Sequence, residues 1–267
     1  MKAEEIFKKL WIHYSEQNPS VIKIHQLFRD KGEEIVNDHV AFRTFHDSRV
    51  GIDVIARPFI EAGYVKKEDY KFEVKKLRAS HYELPGQPES PRVFISELLL
   101  EEFSDDLQKT IRNHLDTLPA EVFSAPDLIF RGNIFDPISY EIYKRLRSES
   151  EYAAWLYVYG YRANHFTVSI NYLKNFQEIK AVNSFLKEQD FLLNISGGEI
   201  KGNPTELLEQ SSTLADKVEV SFSEGKQVIP SCYYEFARRY KDSKGNLFSG
   251  FVPGSADKIF ESTNYRG

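Results

Sequence analysis

The spacing of apolar residues changes several times along this chain, and each change marks a new element. Apolar residues recur at helical intervals over residues 4–11 and 20–31, which predicts one or two opening helices. Alternation of polar and apolar residues then runs from 38 to 45 and predicts a strand. A second helical pattern, over residues 51–61, follows this strand directly. Strand-like runs come after it, at residues 72–77, 79–84 and 92–98.

The same order of elements returns in the second half of the chain. Residues 163–170 alternate like residues 38–45, and a helix is predicted over residues 175–189. Each of the two alternating segments carries a histidine near its start, His39 in the first and His165 in the second. Strand-like runs again follow the helix, at residues 192–196, 217–222, 227–229 and 231–239.

This recurrence predicts a single α+β domain over residues 1–267 with an internal pseudo-repeat. The copies cover residues 35–100 and 160–240, and a helical insertion at about 105–155 separates them. Two βαβββ-like modules can pair their sheets into a curved, barrel-like mixed sheet around a central cavity, with helices at the periphery. Histidines at matching positions of the two copies are expected to converge in that cavity.

Composition is that of an ordinary folded protein and argues against several classes of partner. Hydrophobic residues make up 41% and charged residues 28% of the chain, and the net charge is −5. The acidic balance disfavours nucleic acid and anionic membranes as partners. No apolar run approaches the roughly 18 residues of a membrane span. The charged N-terminus lacks the apolar core of a signal peptide, so we expect a cytoplasmic protein.

Two further features bear on compartment and assembly. The single cysteine, Cys232, cannot form an intramolecular disulfide, and its neighbours match no nucleophile motif. We therefore expect a buried, unreactive thiol. The sequence does not fix the oligomeric state, although pairing of edge strands between chains would give a homodimer.

We expect His39, His165 and Glu235 to bind a metal. A lone histidine on a strand is more often a hydrogen-bonded structural residue, but two at matching points of a repeat would meet at its pseudo-two-fold axis. Glu235 lies among aromatic residues on a late strand, where a carboxylate is costly to bury without a cation. A salt bridge from Glu235 to Arg238, Arg239 or another basic residue is an equal alternative at this point.

Two imidazoles and one carboxylate fill three adjacent positions of an octahedral metal and leave three open, as in non-heme Fe(II) oxygenases. A 2-oxo acid can chelate two of the open positions, and O2 can take the third. Such a site keeps a net positive charge, which favours an anionic chelate. The ligand set thus suits Fe(II) with a 2-oxo acid and O2, but it could equally hold Zn(II), Mn(II) or Ni(II), so the ligand types do not fix the metal.

Arg43 is the main candidate for substrate binding. It faces the same side of its strand as His39, because side chains alternate with a period of two. A guanidinium in a packed core needs either an acidic partner or an anionic ligand, and the residues alone leave both open. His46 and His81 are weaker candidates, as alternative ligands or as supports of the ligands.

Three motifs together resemble the 2-oxoadipate dioxygenase/decarboxylase family. They are DHVAFRTF at residues 38–45, NHFT at 164–167 and YEFARR at 234–239. The closing stretch FVPGSADKIF, at 251–260, is also similar to the end of that family. The resemblance extends from about residue 35 to 262, and the chain looks like a short member, since better-known members are considerably longer.

The resemblance implies a vicinal oxygen chelate-like fold and an enzyme that converts 2-oxoadipate and O2 into 2-hydroxyglutarate and CO2 in lysine breakdown. It also implies Fe(II) held by His39, His165 and Glu235. Arg43 is implied as a catalytic and substrate-binding residue, and Ser255 of the closing stretch as a second contact to substrate.

Two other kinds of function stay open at this stage. A metal-dependent hydrolase, lyase or isomerase can use the same scaffold, because a fold does not fix the chemistry. A non-catalytic protein could also keep the repeat and capture a small anion. Oxygen uptake with 2-oxoadipate separates the dioxygenase from the first group, and stoichiometric metal argues against the second.

Overall fold

An eight-stranded mixed sheet, curled into a half-barrel, forms the centre of the molecule. The computed structural model describes residues 1–259, except for the side chains of residues 256 and 257. The helices are α1 (Ala3–Glu16), α2 (Pro19–Asp30), α3 (Ile52–Glu61), α4 (Asp105–Asp116), α5 (Ala120–Ser124), α6 (Tyr140–Glu149), α7 (Glu151–Tyr159), α8 (Ile179–Glu188) and α9 (Pro253–Ile259). The strands are β1 (Asn37–Phe45), β2 (Val65–Phe72), β3 (Leu77–Glu83), β4 (Arg92–Leu98), β5 (Ala163–Ser169), β6 (Lys201–Asn203), β7 (Leu208–Ser212), β8 (Lys217–Phe222), β9 (Gly225–Pro230) and β10 (Glu235–Arg239).

Strand order confirms the two-module α+β fold. The sheet runs β2-β3-β4-β1-β5-β10-β7-β6, so β1–β4 with α3 form one half and β5, β6, β7 and β10 with α8 form the other. Within each half the first and last strands pair in parallel, β1 with β4 and β5 with β10. The antiparallel pair of β1 and β5 joins the halves. The hairpin of β8 and β9 is an addition to the second half.

The strand expected at residues 72–77 was wrong, because these residues include the turn between β2 and β3. Strand β2 instead covers Val65–Phe72, and most of its side chains are exposed. Its sequence, VKKEDYKF, has no apolar alternation, since an edge strand with charged side chains is protected from pairing with other chains.

The second half differs from expectation in a similar way. Residues 192–196 form no strand and contribute only an isolated bridge from Leu193 to Thr213. The sheet is completed instead by the short strands β6 and β7. Strand β10 is also shorter than the expected run over 231–239. A strand of three to five residues gives too few alternations to be recognised by period.

The two faces of the sheet have different coverings. On the outer face, Phe166 of β5 packs edge-on against Trp11 of α1, with ring centroids 5.2 Å apart. Phe42 of β1 similarly contacts Phe59 of α3 at 5.5 Å. These contacts make the outer face the aromatic core of the protein.

The inner face is polar and is covered by different elements. Helix α7 is buried from Tyr152 to Tyr159 and lies against β1. A helix buried on every side has no amphipathic period, so the sequence predicted only a helical insertion over about 105–155 and no separate helix at Glu151–Tyr159. Helix α9 contacts both edge strands, β2 and β6, and therefore spans the open side of the half-barrel. None of the helices in the described part of the chain is long and apolar enough to cross a bilayer.

Candidate metal centre

Three side chains from three adjacent strands meet on the inner face. His39 of β1, His165 of β5 and Glu235 of β10 each offer one ligand atom, and these atoms lie within 4.8 Å of one another. All three residues are buried. The cluster lies where the two halves of the sheet join, as the matching positions of the histidines in the repeat predict.

The distance between Glu235 and His165 suits two ligands at a right angle around one ion, and the distance between Glu235 and His39 is longer. The Oε2 atom of Glu235 lies 3.1 Å from Nε2 of His165, and the Oε1 atom lies 3.7 Å from Nε2 of His39. With metal–ligand bonds of about 2.1 Å, two ligands at a right angle stand about 3 Å apart. Three donors in this arrangement can occupy one triangular face of an octahedron.

The residue before each histidine orients its ring. The Nδ1 atom of His39 lies 2.8 Å from Oδ2 of Asp38, and Nδ1 of His165 lies 3.0 Å from Oδ1 of Asn164. An oxygen acceptor at Nδ1 fixes the tautomer that leaves Nε2 without a proton and able to bind a metal. In both halves, the Asx residue before the histidine therefore orients the ring so that its Nε2 atom faces Glu235.

Asp38 also neutralises a buried arginine. Arg239 donates to both carboxylate oxygens of Asp38, at 2.7 and 2.9 Å, and to the carbonyl oxygen of Gly250 at 2.7 Å. Burial alone raises the pKa of Asp38, but Arg239 and the hydrogen bond with His39 hold it well below its usual value. The partner of His39 is thus a carboxylate, whereas the partner of His165 is a neutral amide.

The expected alternative of a salt bridge from Glu235 to a neighbouring arginine is wrong for the described residues. Arg239 pairs with Asp38, and the guanidinium of Arg238 lies over the ring of Tyr240 at 4.9 Å. Glu235 instead accepts a hydrogen bond of 2.5 Å from the side-chain amide of Gln210. The carboxylate therefore faces two imidazoles and one amide, and no Lys or Arg side chain of residues 1–259 lies at ion-pair distance from it.

Protonation states in the cluster favour metal binding. Burial lowers the pKa of His165 and outweighs the opposing charge of Glu235, which favours the neutral imidazole. Burial by itself raises the pKa of Glu235, but the two facing imidazoles and Gln210 lower it overall. Neutral imidazole and ionised carboxylate are the forms that coordinate a metal.

The cluster also contains polar atoms that lack partners. Within the described part of the chain, Nε2 of His165 and Oε2 of Glu235 are buried and make no hydrogen bond. Buried polar atoms without partners are costly, and a cation between them would satisfy both. Nε2 of His39 has Thr167 Oγ1 at 3.1 Å, so Thr167 shares this small space. The residues present therefore fit a divalent metal ion.

Arg43 lies on the same inner face but already has an acidic neighbour. Its guanidinium lies 3.2 Å from the carboxylate of Glu151, and Tyr152 and Trp155 place their rings 4.8 and 5.2 Å from it. Helix α7 supplies all three of these residues. Of the two partners left open for Arg43, the structure provides the acidic one, and substrate binding by Arg43 stays a prediction.

Ser255 lies on the other side of the cluster. It is buried at the start of α9, and a methyl group added at Gly202 of β6 would lie 3.1 Å from its Oγ. In strand order, Arg43 lies on β1, the strand of His39, whereas Ser255 lies beside β6, two strands beyond the β10 strand of Glu235. The last residue of the closing motif, Phe260, lies outside the described residues.

The remaining candidates have other surroundings. His46 is partly exposed and pairs with Glu101 at 2.7 Å, away from the cluster. His81 is buried and lies 2.8 Å from the hydroxyl of Tyr70. Cys232 is buried and free, and burial raises the pKa of its thiol to about 11, as expected for an unreactive cysteine.

Two aromatic residues that the sequence did not indicate close the site. Phe251 packs edge-on against the ring of His39 at 4.9 Å, and Tyr233 stacks on the ring of His165 at 4.7 Å. Neither contact follows from a local pattern, since Phe251 precedes α9 and lies far from His39 in the chain. Gln210 was also missed, because its strand was not recognised.

A curled sheet of two βαβββ halves, with a buried pair of imidazoles and a carboxylate on its inner face, is a fold of the vicinal oxygen chelate type. The fold agrees with that of a glyoxalase superfamily protein from Ralstonia eutropha, which has a TM-score of 0.73 and 18% identity and covers 91% of this chain and 83% of that one. At this identity the likeness concerns the fold alone.

The chain belongs to the 2-oxoadipate dioxygenase/decarboxylase family. The model of that family matches residues 6–126 and 130–244. A relative from Arabidopsis thaliana named 2-oxoadipate dioxygenase/decarboxylase, chloroplastic, is 37% identical over 94% of this chain and 74% of its own length. The family and its named relatives are enzymes, which confirms the expectation of an enzyme from the motifs.

Two solved structures are similar over nearly the whole chain. Hydroxyglutarate synthase from Oryza sativa, in complex with 2-oxoadipate, has a TM-score of 0.90 and 36% identity and covers 98% of this chain and 93% of that one. A protein from Shewanella frigidimarina, provisionally named a hydrolase, has a TM-score of 0.89 and 51% identity and covers 94% of this chain and 98% of that one.

Proposed function

We propose that this protein is an Fe(II)-dependent dioxygenase that converts 2-oxoadipate and O2 into 2-hydroxyglutarate and CO2. The observation that carries the proposal is the buried cluster of His39, His165 and Glu235, whose ligand atoms lie within 4.8 Å of one another. Among the described residues, Nε2 of His165 and Oε2 of Glu235 in this cluster make no hydrogen bond. The names of the family and of the rice synthase bound to 2-oxoadipate support the choice of substrate.

The overall reaction of 2-oxoadipate with O2 balances without a second organic substrate. The carboxylate next to the oxo group leaves as CO2, and the former oxo carbon becomes a carboxylate that contains one oxygen atom of O2. The other oxygen atom enters the remaining chain as a hydroxyl group. Both atoms of O2 therefore end in one product, and no external reductant is needed.

His39, His165 and Glu235 would hold the metal, which when bound supplies redox chemistry and open positions for substrate and O2. Asp38 and Asn164 keep the two rings in the orientation and tautomer that this requires. Two neutral imidazoles and one carboxylate leave a divalent ion with net positive charge. The protein thereby attracts the anionic 2-oxo acid to the cluster.

Arg43 and Ser255 would bind and orient the substrate from opposite sides of the cluster. The Arg43 guanidinium has a planar fork that matches a carboxylate, and the Tyr152 ring beneath it limits its movement. The rings of Phe251 and Tyr233 exclude water from the imidazoles, which protects a reactive centre from side reactions.

Oxygen uptake tests this function directly. Protein loaded anaerobically with Fe(II) should consume O2 on addition of 2-oxoadipate and release one CO2 and one 2-hydroxyglutarate for each O2. His39→Ala should abolish the uptake. His46→Ala, which changes an exposed histidine outside the cluster, should leave it unchanged. The proposal would be overturned if protein with stoichiometric iron consumed no O2 in the presence of 2-oxoadipate or other short 2-oxo diacids.

A metal-dependent hydrolase is the alternative that one observation favours, because the Shewanella frigidimarina structure at 51% identity has a hydrolase name. The same three residues could bind Zn(II), which activates water for hydrolysis. A hydrolase would consume no O2, so the same experiment distinguishes the two functions.

A further inference from the structure

A buried lysine without an ion-pair partner lies on the inner face of the sheet. Lys201 of β6 is 3% exposed, and its Nζ donates to the backbone carbonyl oxygen of Asn194. Among the described residues, no carboxylate lies within ion-pair distance of this ammonium group. Burying a charge is costly unless it is paired, and an ammonium has three N–H donors, of which the Asn194 carbonyl accepts one.

The register of the sheet directs Lys201 to the side of the sheet that carries the metal cluster. Lys201 is the partner of Gln210 in the antiparallel ladder of β6 and β7, and paired residues project on the same face. Gln210 donates directly to Glu235, so its side chain is on the inner face. Lys201 therefore also projects toward the interior.

The far end of the lysine side chain lies level with Glu235. Asn194, whose carbonyl accepts from Lys201 Nζ, donates its own backbone N–H to the carbonyl oxygen of Ser212 at 2.9 Å. Ser212 is the ladder partner of Glu235. The ammonium group thus lies beside β7 at the height of the cluster, whereas Arg43 lies on β1, the strand of His39.

We propose that Lys201 binds the remote carboxylate of the substrate and thereby selects dicarboxylates over monocarboxylates. This inference rests on the proposed function, in which the 2-oxo carboxylate end of the substrate binds the metal. A dicarboxylate needs a second counter-charge for its other end. Arg43 is already beside Glu151 at 3.2 Å. Among the described residues, the carboxylates of Glu235 and Glu199 act on Lys201 only from beyond ion-pair distance.

A purely structural role for Lys201 would give a different result. In that case the lysine only fixes the segment around Asn194, and its loss would affect all substrates equally. A carboxylate-binding role affects only substrates that have the second carboxylate. The comparison of 2-oxoadipate with 2-oxohexanoate, which has the same chain length and no remote carboxylate, separates these roles.

The test is the ratio of kcat/KM for these two substrates in Lys201→Met, which keeps the apolar stem and removes the charge. A hydrogen bond to a charged group corresponds to roughly 10- to 100-fold, so the ratio should fall by that factor while the 2-oxohexanoate value changes little. Lys180→Met, at an exposed position of α8, should leave the ratio unchanged. Lys201→Arg should retain most of the preference. An equal loss for both substrates, or no loss, would overturn the proposal.

Anaerobic titration separates failure of this inference from failure of the proposed function. Both acids can be titrated by calorimetry into the metal-loaded protein without O2, so the measurement needs no turnover. If the wild-type protein prefers 2-oxoadipate and Lys201→Met does not, the role of Lys201 holds even where oxygen uptake fails. A wild-type protein without this preference would contradict it. If Lys201→Met does not fold, Lys201→Gln keeps a donor for Asn194 and carries the same expectation.

Discussion

The two halves of the sheet share a layout but contribute different chemistry. Each begins with an Asx-His pair on its first strand, Asp38-His39 on β1 and Asn164-His165 on β5. In the first half the histidine's partner is a carboxylate that also neutralises Arg239; in the second it is an amide without charge. The repeat therefore fixes where the imidazoles lie, while the residues around them differ.

The difference is clearest at the position of Glu235. In the second half, Glu235 of β10 pairs with Thr167, two residues after His165. The equivalent pair in the first half joins Phe94 of β4 to Ala41, two residues after His39. An aromatic ring thus stands where the pseudo-symmetry would place a second carboxylate.

The packing around Phe94 explains why this position holds an aromatic ring and not a second carboxylate. Phe251 lies 4.7 Å from the ring of Phe94 and 4.9 Å from that of His39, so this part of the site is apolar and closed. A second carboxylate here would be buried among aromatic rings, where a charge is costly. The asymmetry leaves a single carboxylate in the cluster, so a bound divalent ion would keep a net positive charge.

The largest expected effect on metal content and oxygen uptake comes from substituting Glu235, whereas substitution of Phe94 at the equivalent position should have little effect. Glu235→Gln should remove stoichiometric metal and all oxygen uptake, a greater loss than the roughly 10- to 100-fold cost of changing a residue around the ligands. Phe94→Leu should retain the metal, since it changes packing alone. Metal analysis after anaerobic loading measures both. Full metal content in Glu235→Gln would contradict the assigned asymmetry.

The next effect concerns the partners of the histidines. Asp38→Asn leaves the buried Arg239 without its counter-charge and should lower the free energy of unfolding by about 3–5 kcal/mol. Asn164→Leu removes one neutral hydrogen bond and should cost about 1 kcal/mol. Urea unfolding of the metal-free proteins makes this comparison. Equal losses would show that the charge of Asp38 has no special role.

A smaller effect is expected for the residues four positions after each histidine. Arg43→Lys keeps a charge but loses the planar fork, so kcat/KM for 2-oxoadipate should fall roughly 10-fold to 100-fold. Ser169→Ala, at the equivalent position of β5, should change it much less. Steady-state kinetics of the two variants, at unchanged metal content, would measure this difference in kcat/KM. Similar kcat/KM values for both variants would rule out substrate binding by Arg43.

The smallest effect is a pH dependence of substrate preference. Burial lowers the pKa of Lys201 to about 8, against the opposing charges of Glu235 and Glu199. Lys201 is charged below this pH and loses its proton above it. The preference for 2-oxoadipate over 2-oxohexanoate should therefore decrease as pH rises through about 8. Lys201→Met should lack this step, and the same step in that variant would assign it to another group.

Sequence patterns were sufficient to predict the parts of the fold that occur in both halves. Strand β1 and helix α3 follow from their periods, and the paired histidines identify the cluster because matching positions of a repeat converge. The family motifs supplied the function that ligand types alone leave open, since imidazole and carboxylate suit several metals.

Other parts were beyond local patterns for physical reasons. Strand β2 is a charged edge, and β6 is too short for alternation to be recognised, so Lys201 could not be placed on the inner face. Contacts such as Asp38 with Arg239 join residues distant in the chain. The Asx before each histidine was visible in the sequence, but its role depends on the direction of the ring. Cytoplasmic location, the boundaries of the domain and a homodimer stay predictions.

Anomalous scattering at the iron edge, from crystals loaded anaerobically with Fe(II), tests the central claim most directly. The account predicts one peak at about 2.1 Å from Nε2 of His39, Nε2 of His165 and a carboxylate oxygen of Glu235. A peak at another site, or no peak here in crystals of protein that turns over 2-oxoadipate, would contradict it.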